Sequence, residues 1–368
     1  MNTLPLNLLL LLVFANLSCF LLLVPVSAKV FLSIDIGSSA LKSYTDERSI
    51  VWVGDGPYIQ TGDIHKVNAP ANESGYDSNV MNTLRAFPNR KKNCYSIDID
   101  NKAGENTTVE RVLVRASFYY GNYDSKSSPP IFDLQFNGNH WQEIITMEKD
   151  VSVWEVVFSL NNKTNNINVC LAQTKPDNIP FISALEVRSL DSLAYSYIPS
   201  DRPMIILDRI AFGTNEVTRY PEDGFDRIWS WTGPIGNDYT KVKGNSPSIK
   251  VDDVEDKPPE AVLRTALMLP IHFNAYFSEV MKLNSTQKRS FNIRINRNLD
   301  NSLIVPQNPV IPPYGGVSEV HILNVTTFNS SFLIEFKRTN DSTLPPLINA
   351  LEMYIVGPKL VQGTNSND

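Results

Sequence analysis

The chain has 368 residues, 42% of them hydrophobic and 20% charged, with a formal net charge of −6. This length suggests two domains, and the balance is that of an ordinary globular protein. The acidic sign and the absence of a basic face argue against a nucleic-acid partner, and the longest basic run, Arg90-Lys91-Lys92, reads as a solvated loop.

Residues 1–28 hold no Asp, Glu, Lys or Arg, and contain two apolar runs, Leu8 to Phe14 and Phe20 to Val24. Val26-Ser27-Ala28 puts small residues where a signal peptidase cuts, so 1–28 is predicted to be a secretory signal peptide and Lys29 the first mature residue. The rival reading is a retained N-terminal anchor, because the two runs together approach spanning length. No later stretch resembles a membrane span, since Leu347 to Val361 is broken by Asn349, Glu352, Gly357, Pro358 and Lys359. The predicted location is therefore extracellular, in the apoplast or cell wall, or at the plasma membrane through a partner or an uncleaved anchor. Sequons at Asn72, Asn106, Asn162, Asn284, Asn324, Asn329 and Asn340 fit that compartment and predict a glycoprotein. Cys19 leaves with the leader, so Cys94 and Cys170 remain, either as a disulfide or as two small buried hydrophobes.

Along the mature chain, apolar and polar residues alternate in short runs. Tyr95 to Asp100, Val112 to Phe118, Phe132 to Asn137, Val151 to Leu160, Ile167 to Leu171 and Ala184 to Leu190 all show the pattern. A period of two puts one strand face in the core and the other in water. Turn chemistry at Asn101 to Gly104, Ser127 to Pro130, Asn137-Gly138-Asn139 and Asn161-Asn162 separates the runs, as in a sandwich or barrel. No long amphipathic helix is evident, and Ser192 to Tyr197 has room for one turn. The second half then echoes the first. Phe291 to Asn296 repeats Phe132 to Asn137, and Pro346-Leu347-Ile348-Asn349-Ala350-Leu351-Glu352 repeats Pro180-Phe181-Ile182-Ser183-Ala184-Leu185-Glu186. Aromatic strand ends, Phe118-Tyr119-Tyr120 and Ala275-Tyr276-Phe277, precede them. Asp46 to Trp52 is echoed by Asp226 to Trp229 with Trp231. A duplicated domain is predicted, with residues 29–200 as the first copy, 201–358 as the second and 359–368 as a flexible tail.

Phe31 to Gly37, Leu84-Arg85-Ala86-Phe87-Pro88, Asn93-Cys94-Tyr95, Arg115 to Asp124 and Cys170-Leu171 with Pro180 to Glu186 are together similar to the malectin-like ectodomain of plant receptor-like kinases. His272 to Glu279 and Phe291-Asn292-Ile293 resemble its second half. The resemblance implies an all-β fold of two tandem malectin-like jelly-roll sandwiches. It also implies binding of cell-wall carbohydrate, of a peptide signal or of a partner receptor ectodomain. In such receptors leucine-rich repeats, a membrane span and a kinase follow, so the expectation is an ectodomain without a signalling half. Ile36 stands where many relatives carry cysteine, and Asn274 to Glu279 departs from the usual compact Phe-Ala-Glu.

A sugar site needs aromatic faces and nearby polar groups. Tyr119, Tyr120, Asn122, Tyr123 and Asp124 offer both at a strand end, with Tyr276 and Glu279 as the second-half counterpart. The competing reading packs Tyr119 or Tyr120 in the sandwich and makes Gly121-Asn122 a turn. Trp229 and Trp231 read as core, with one of them able to form an exposed platform. No acidic pair stands out for glycoside hydrolysis, which needs two carboxyls across one bond, and no serine elbow or HExxH run occurs. His65, His140, His272 and His321 are scattered, so no zinc and no cofactor are predicted. The acidic run Asp252 to Asp256 reads as an exposed linker before it reads as a calcium site. The prediction is a secreted, non-catalytic binding protein for cell-wall glycan, with a soluble co-receptor or decoy for a peptide or receptor as the alternative.

Overall fold

The computed structural model describes residues 30–38, 43–71, 79–99, 109–160, 166–231, 240–268, 276–296, 302–304, 308–321, 333–356 and 359–360. The expected leader, Asp100, His272, the end of the tail and the sequons Asn72, Asn106, Asn162, Asn324 and Asn329 lie outside these residues.

The alternating runs are strands. They include Lys92–Asp98, Arg111–Phe118, Ile131–Phe136, Ser152–Ser159, Asn166–Ala172 and Ala184–Ser189. Among the described residues the α-helical content is one turn, Glu260–Leu263. The segment after Leu190 forms consecutive turns, with the N–H groups of Ala194, Ser196 and Ile198 donating to the carbonyls of Asp191, Leu193 and Tyr195.

Two layers enclose the first core. Lys92–Asp98, Asn166–Ala172, Ile131–Phe136 and Asn139–Ile145 make a four-stranded antiparallel sheet. Its inward residues, among them Tyr95, Ile97, Phe132, Leu134 and Val169, meet Val112, Val114, Ala116, Phe118 and Leu185 of the facing sheet. In the second half, Phe277, Phe291 and Phe336 pack edge to face with centroids 5.2–5.6 Å apart beside Leu347, Ile348 and Leu351.

The echo read in the sequence is a structural repeat. Ala184 lies opposite Ser117, and Ala350 lies opposite Tyr276. Ser183 Oγ accepts the N–H of Tyr119, and Asn349 Oδ1 accepts the N–H of Ser278. Trp52 Nε1 donates to Asp46, and Trp229 Nε1 donates to Asp223, so the partner of the second tryptophan is Asp223 and not the Asp226 of the sequence echo. The same register makes Tyr276 the counterpart of Ser117, with Phe277 matching Phe118. The aromatic echo is thus shifted from the one read by eye.

Ile131–Phe136 alternates buried and half-buried residues as expected, but Arg111–Phe118 and Ala184–Ser189 are buried along their whole length. The cause is the second half. Its first strand, Met204–Ala211, pairs with Ser152–Ser159 on one side and Ala350–Val356 on the other, so one eleven-stranded sheet runs through both halves. Leu113 and Val157 on the outer face then pack against Tyr195, Met204 and Ile206.

Cys94 and Cys170 sit directly opposite each other on adjacent strands and form a disulfide. Elsewhere in the first half, Asp35 is buried and accepts the Tyr44 hydroxyl at 3.0 Å. Burial pushes its carboxyl up to about 7, against the pull of the Tyr44 and Thr83 hydrogen bonds. Its folded value thus lies above its unfolded one, so the folded state takes up the proton more readily. The associated stability is full below about pH 4 and is lost as pH rises through about 7. Asp35→Asn is expected to flatten this decline, which urea midpoints at pH 5 and pH 8 for both proteins would measure.

Candidate functional site

The residues predicted for a sugar site, at the end of Arg111–Phe118, are held by local turn chemistry. Gly121 and Asn122 both have positive φ, 48° and 53°, and a Cβ on Gly121 would lie 2.6 Å from Val67. The turn swings Tyr119 and Tyr120 inward, and both are buried. Tyr119 donates its hydroxyl to the carbonyls of Ala69 and Pro70, each at 3.0 Å. Tyr120 donates to the Asp124 carboxylate, and burial followed by that hydrogen bond pushes its hydroxyl up to about 12. Asn122, Tyr123 and Asp124 are half-buried. Tyr123 stacks on His65 at 5.0 Å and packs edge-on against Tyr120 at 5.6 Å. Asn122 Oδ1 accepts the Ser127 N–H, closing the loop.

The second-half pair is buried as well. The Tyr276 hydroxyl donates to Glu352 Oε2 at 2.6 Å, and Glu279 pairs with the buried Arg289 at 2.7 Å. The two residues thus face different partners and do not converge on one site. Of the two tryptophans, Trp229 is 0% exposed against Tyr276 while Trp231 is 41% exposed. Asn284 and Asn340 are exposed.

The junction between the halves carries most of the buried charge. Arg115 is fully buried and donates to Glu155 at 2.6 Å and Glu186 at 3.1 Å in the first half, and reaches Asp226 at 3.3 Å in the second. Arg209 returns the bridge, donating to Glu155 at 2.6 Å and Glu352 at 2.5 Å. Arg188 and Arg219 converge on Asp226 and Glu186. Burial would raise the Asp226 carboxyl, but Arg219, Arg188 and Arg115 hold it well below the usual carboxylate range. Glu186 and Glu352 are the last residues of the two echoed motifs. An acid closing an otherwise apolar repeat was the available sign that these positions are buried and paired.

Beside this network lies a small pocket lined by Tyr197, Tyr276, Glu319, Val320, His321, Glu352 and Tyr354. Asp256 places a carboxylate oxygen within 4.8 Å of donor atoms of Glu319 and His321 in that lining, and its burial corrects the reading of Asp252 to Asp256 as an exposed linker. Asp252, Asp253 and Glu255 are exposed, but Asp256 is 1% exposed. Asp256 turns inward because it accepts the Tyr195 N–H at 2.6 Å and the Tyr197 hydroxyl at 2.9 Å. Burial, followed by mutual repulsion with neighbouring carboxylates, raises Asp256 to about 6 and Glu319 to about 8. Raised carboxyls in a pocket resemble a hydrolase pair, but a cavity volume of about 20 Å³ admits a water-sized occupant and no sugar ring.

A family model described as "Malectin-like domain" matches residues 34–270 and 268–356. The Arabidopsis thaliana "Uncharacterized protein At1g24485" is 34% identical over 96% of this chain and 70% of its own length.

The chain belongs to the malectin-like family.

The malectin-like chain is also 31% identical over 92% of its length to the Arabidopsis "Probable LRR receptor-like serine/threonine-protein kinase PAM74", of which it spans 38%. Among solved structures it is similar to the plant receptor-like kinase FER, with TM-score 0.66 and 15% identity over 89% of this chain and 96% of that one. A second similar structure is that of the plant peptide RALF23 in complex with FER and LLG2, with TM-score 0.63 and 16% identity over 91% of this chain and 99% of that one. At these identities the two structures bear on the fold alone, which is the two-domain all-β ectodomain architecture. No helix among the described residues is long and apolar enough to cross a membrane.

Proposed function

We propose that this malectin-like chain is a non-catalytic extracellular recognition module whose ligand is a peptide or a receptor ectodomain, acting as a co-receptor or decoy at the cell surface. The observation that carries the reading is the inward packing of Tyr119, Tyr120, Tyr276 and Glu279, which leaves their rings and carboxylate no free face for a sugar. The RALF23 complex with FER and LLG2 supports it, since a protein of the same fold takes part in a peptide complex. The leader-like residues 1–28 and the exposed sequons Asn284 and Asn340 support secretion and glycosylation. Met204–Ala211 pairs at seven positions with Ala350–Val356 and at three with Ser152–Ser159, and the longer pairing supports a boundary near 200/201. Trp231 is the candidate anchor, because exposed tryptophans concentrate binding energy at protein interfaces.

The test is a pairwise binding screen of the purified chain against secreted peptides, RALF23 among them, and receptor ectodomains. Trp231→Ala is expected to weaken the partner found by at least ~30-fold, equivalent to about 2 kcal/mol, with the fold intact by circular dichroism. A screen without any binder, or a binder indifferent to Trp231, would contradict the proposal. A second reading, glycan binding, is favoured by one observation. Asn122, Tyr123 and Asp124 remain half-buried, so an aromatic ring, an amide and a carboxylate are all partly open to solvent at one loop.

A further inference from the structure

We propose that Asp256, Glu319 and His321 form a zinc site at the junction of the two halves. One donor atom from each lies within 4.8 Å of the others, and His321 Nε2 is 3.7 Å from Glu319 Oε2. The second observation is independent of this clustering. The Glu319 side chain is 7% exposed, lines the pocket, and its Oε1 is buried without a hydrogen-bond partner. A buried acceptor left unpaired is costly, and a cation in the pocket supplies what it lacks.

The donor set selects the metal. Calcium takes six to eight oxygen ligands, whereas imidazole with two carboxylates suits zinc at about 2.0–2.2 Å. The cavity volume of about 20 Å³ has room for an occupant of the size of one ion or one water. An outer layer is already in place. Tyr197 packs against His321 with centroids 4.1 Å apart and the rings tilted by 42°, and its hydroxyl donates to Asp256 Oδ2. The site would tie the edge strand Ser318–Glu319 and the Asp252 to Asp256 loop to the turns that follow the first half. It departs from the expectation of no metal because residues 256, 319 and 321 are brought together by the fold, with no ligand spacing in the sequence.

The experiment uses the purified full chain after chelator treatment, titrated with Zn²⁺ and separately with Ca²⁺ by calorimetry and thermal unfolding. One Zn²⁺ per chain is expected, with a rise in Tm. Both are lost in Glu319→Gln, and binding is weakened at least ~10-fold in His321→Ala. Glu319→Gln removes one of the crowded carboxylates, so its fold should survive, and its Tm without metal checks this. The proposal is overturned if Zn²⁺ does not bind at one equivalent. It is also overturned if binding survives unchanged in both variants, or if Ca²⁺ alone binds and stabilises. A Glu319–Asp256 pair that shares a proton and excludes metal would appear as the first of these results.

Discussion

Replacing Arg115 with methionine is expected to destabilise the protein by about 3–5 kcal/mol, the usual cost of breaking a buried ion pair from one side. Arg115 is 0% exposed, and its removal would leave Glu155, Glu186 and Asp226 with less positive charge than their burial requires. Arg188, Arg219 and Arg209 would still offset part of the loss, which keeps the expectation at the measured range for single deletions. For a chain of this size the fall in Tm is on the order of 10 °C. Because the pair joins Glu155 of the first half to Asp226 of the second, both halves should loosen together. Adding Glu155→Gln to Arg115→Met should restore part of the loss, since it leaves three arginines facing three carboxylates, and uncompensated charge, more than missing contact, sets the cost. A Tm change under about 2 °C would mean that the network contributes little to holding the halves together.

The second large effect concerns the disulfide. Cys94 and Cys170 are 76 residues apart in sequence, so the bridge removes much of the freedom of the unfolded chain. Chain-entropy reasoning gives about 4–5 kcal/mol for such a loop, and measured bridges typically give about 2–4. Cys94→Ala with Cys170→Ala is therefore expected to cost about 3 kcal/mol. The 76-residue loop lies within the first half, so the loss should appear in the opening of that half before the second. Hydrogen exchange should speed up in Lys92–Asp98 and Asn166–Ala172 and stay unchanged in Ala350–Val356. Equal loss of protection across both halves would contradict a local role.

Much of this fold was legible in the chain. Period-two patterning marked the strands, because a sandwich strand with one wet face has no other way to satisfy core and solvent together. The echo of Pro180 to Glu186 in Pro346 to Glu352 marked the duplication, and the shared register of Ala184 and Ala350 bears it out. Patterning failed where the two copies meet. Arg115 and Glu186 occupy polar positions of their strands and look solvent-facing, yet the second half covers them. Alternation reports which face a residue shares, and is silent about what packs on that face. Of the two readings offered for the Tyr119 to Asp124 stretch, the burial of both rings beside a Gly121-Asn122 turn matches the one that packs them in the sandwich, and composition alone did not decide between the two. The Asp256, Glu319 and His321 cluster depends on three segments meeting, so no local pattern announces it. Trp231 was legible as one of a pair, and the structure decided which member is exposed.

The most direct test of the central claim is a calorimetric titration of the purified chain with a panel of plant cell-wall oligosaccharides, run beside Tyr123→Ala. A module built for a peptide or receptor ligand should give no saturable heat with any glycan, in either protein. Saturable binding that Tyr123→Ala abolishes would contradict the account and place a sugar site at the Asn122 to Asp124 loop.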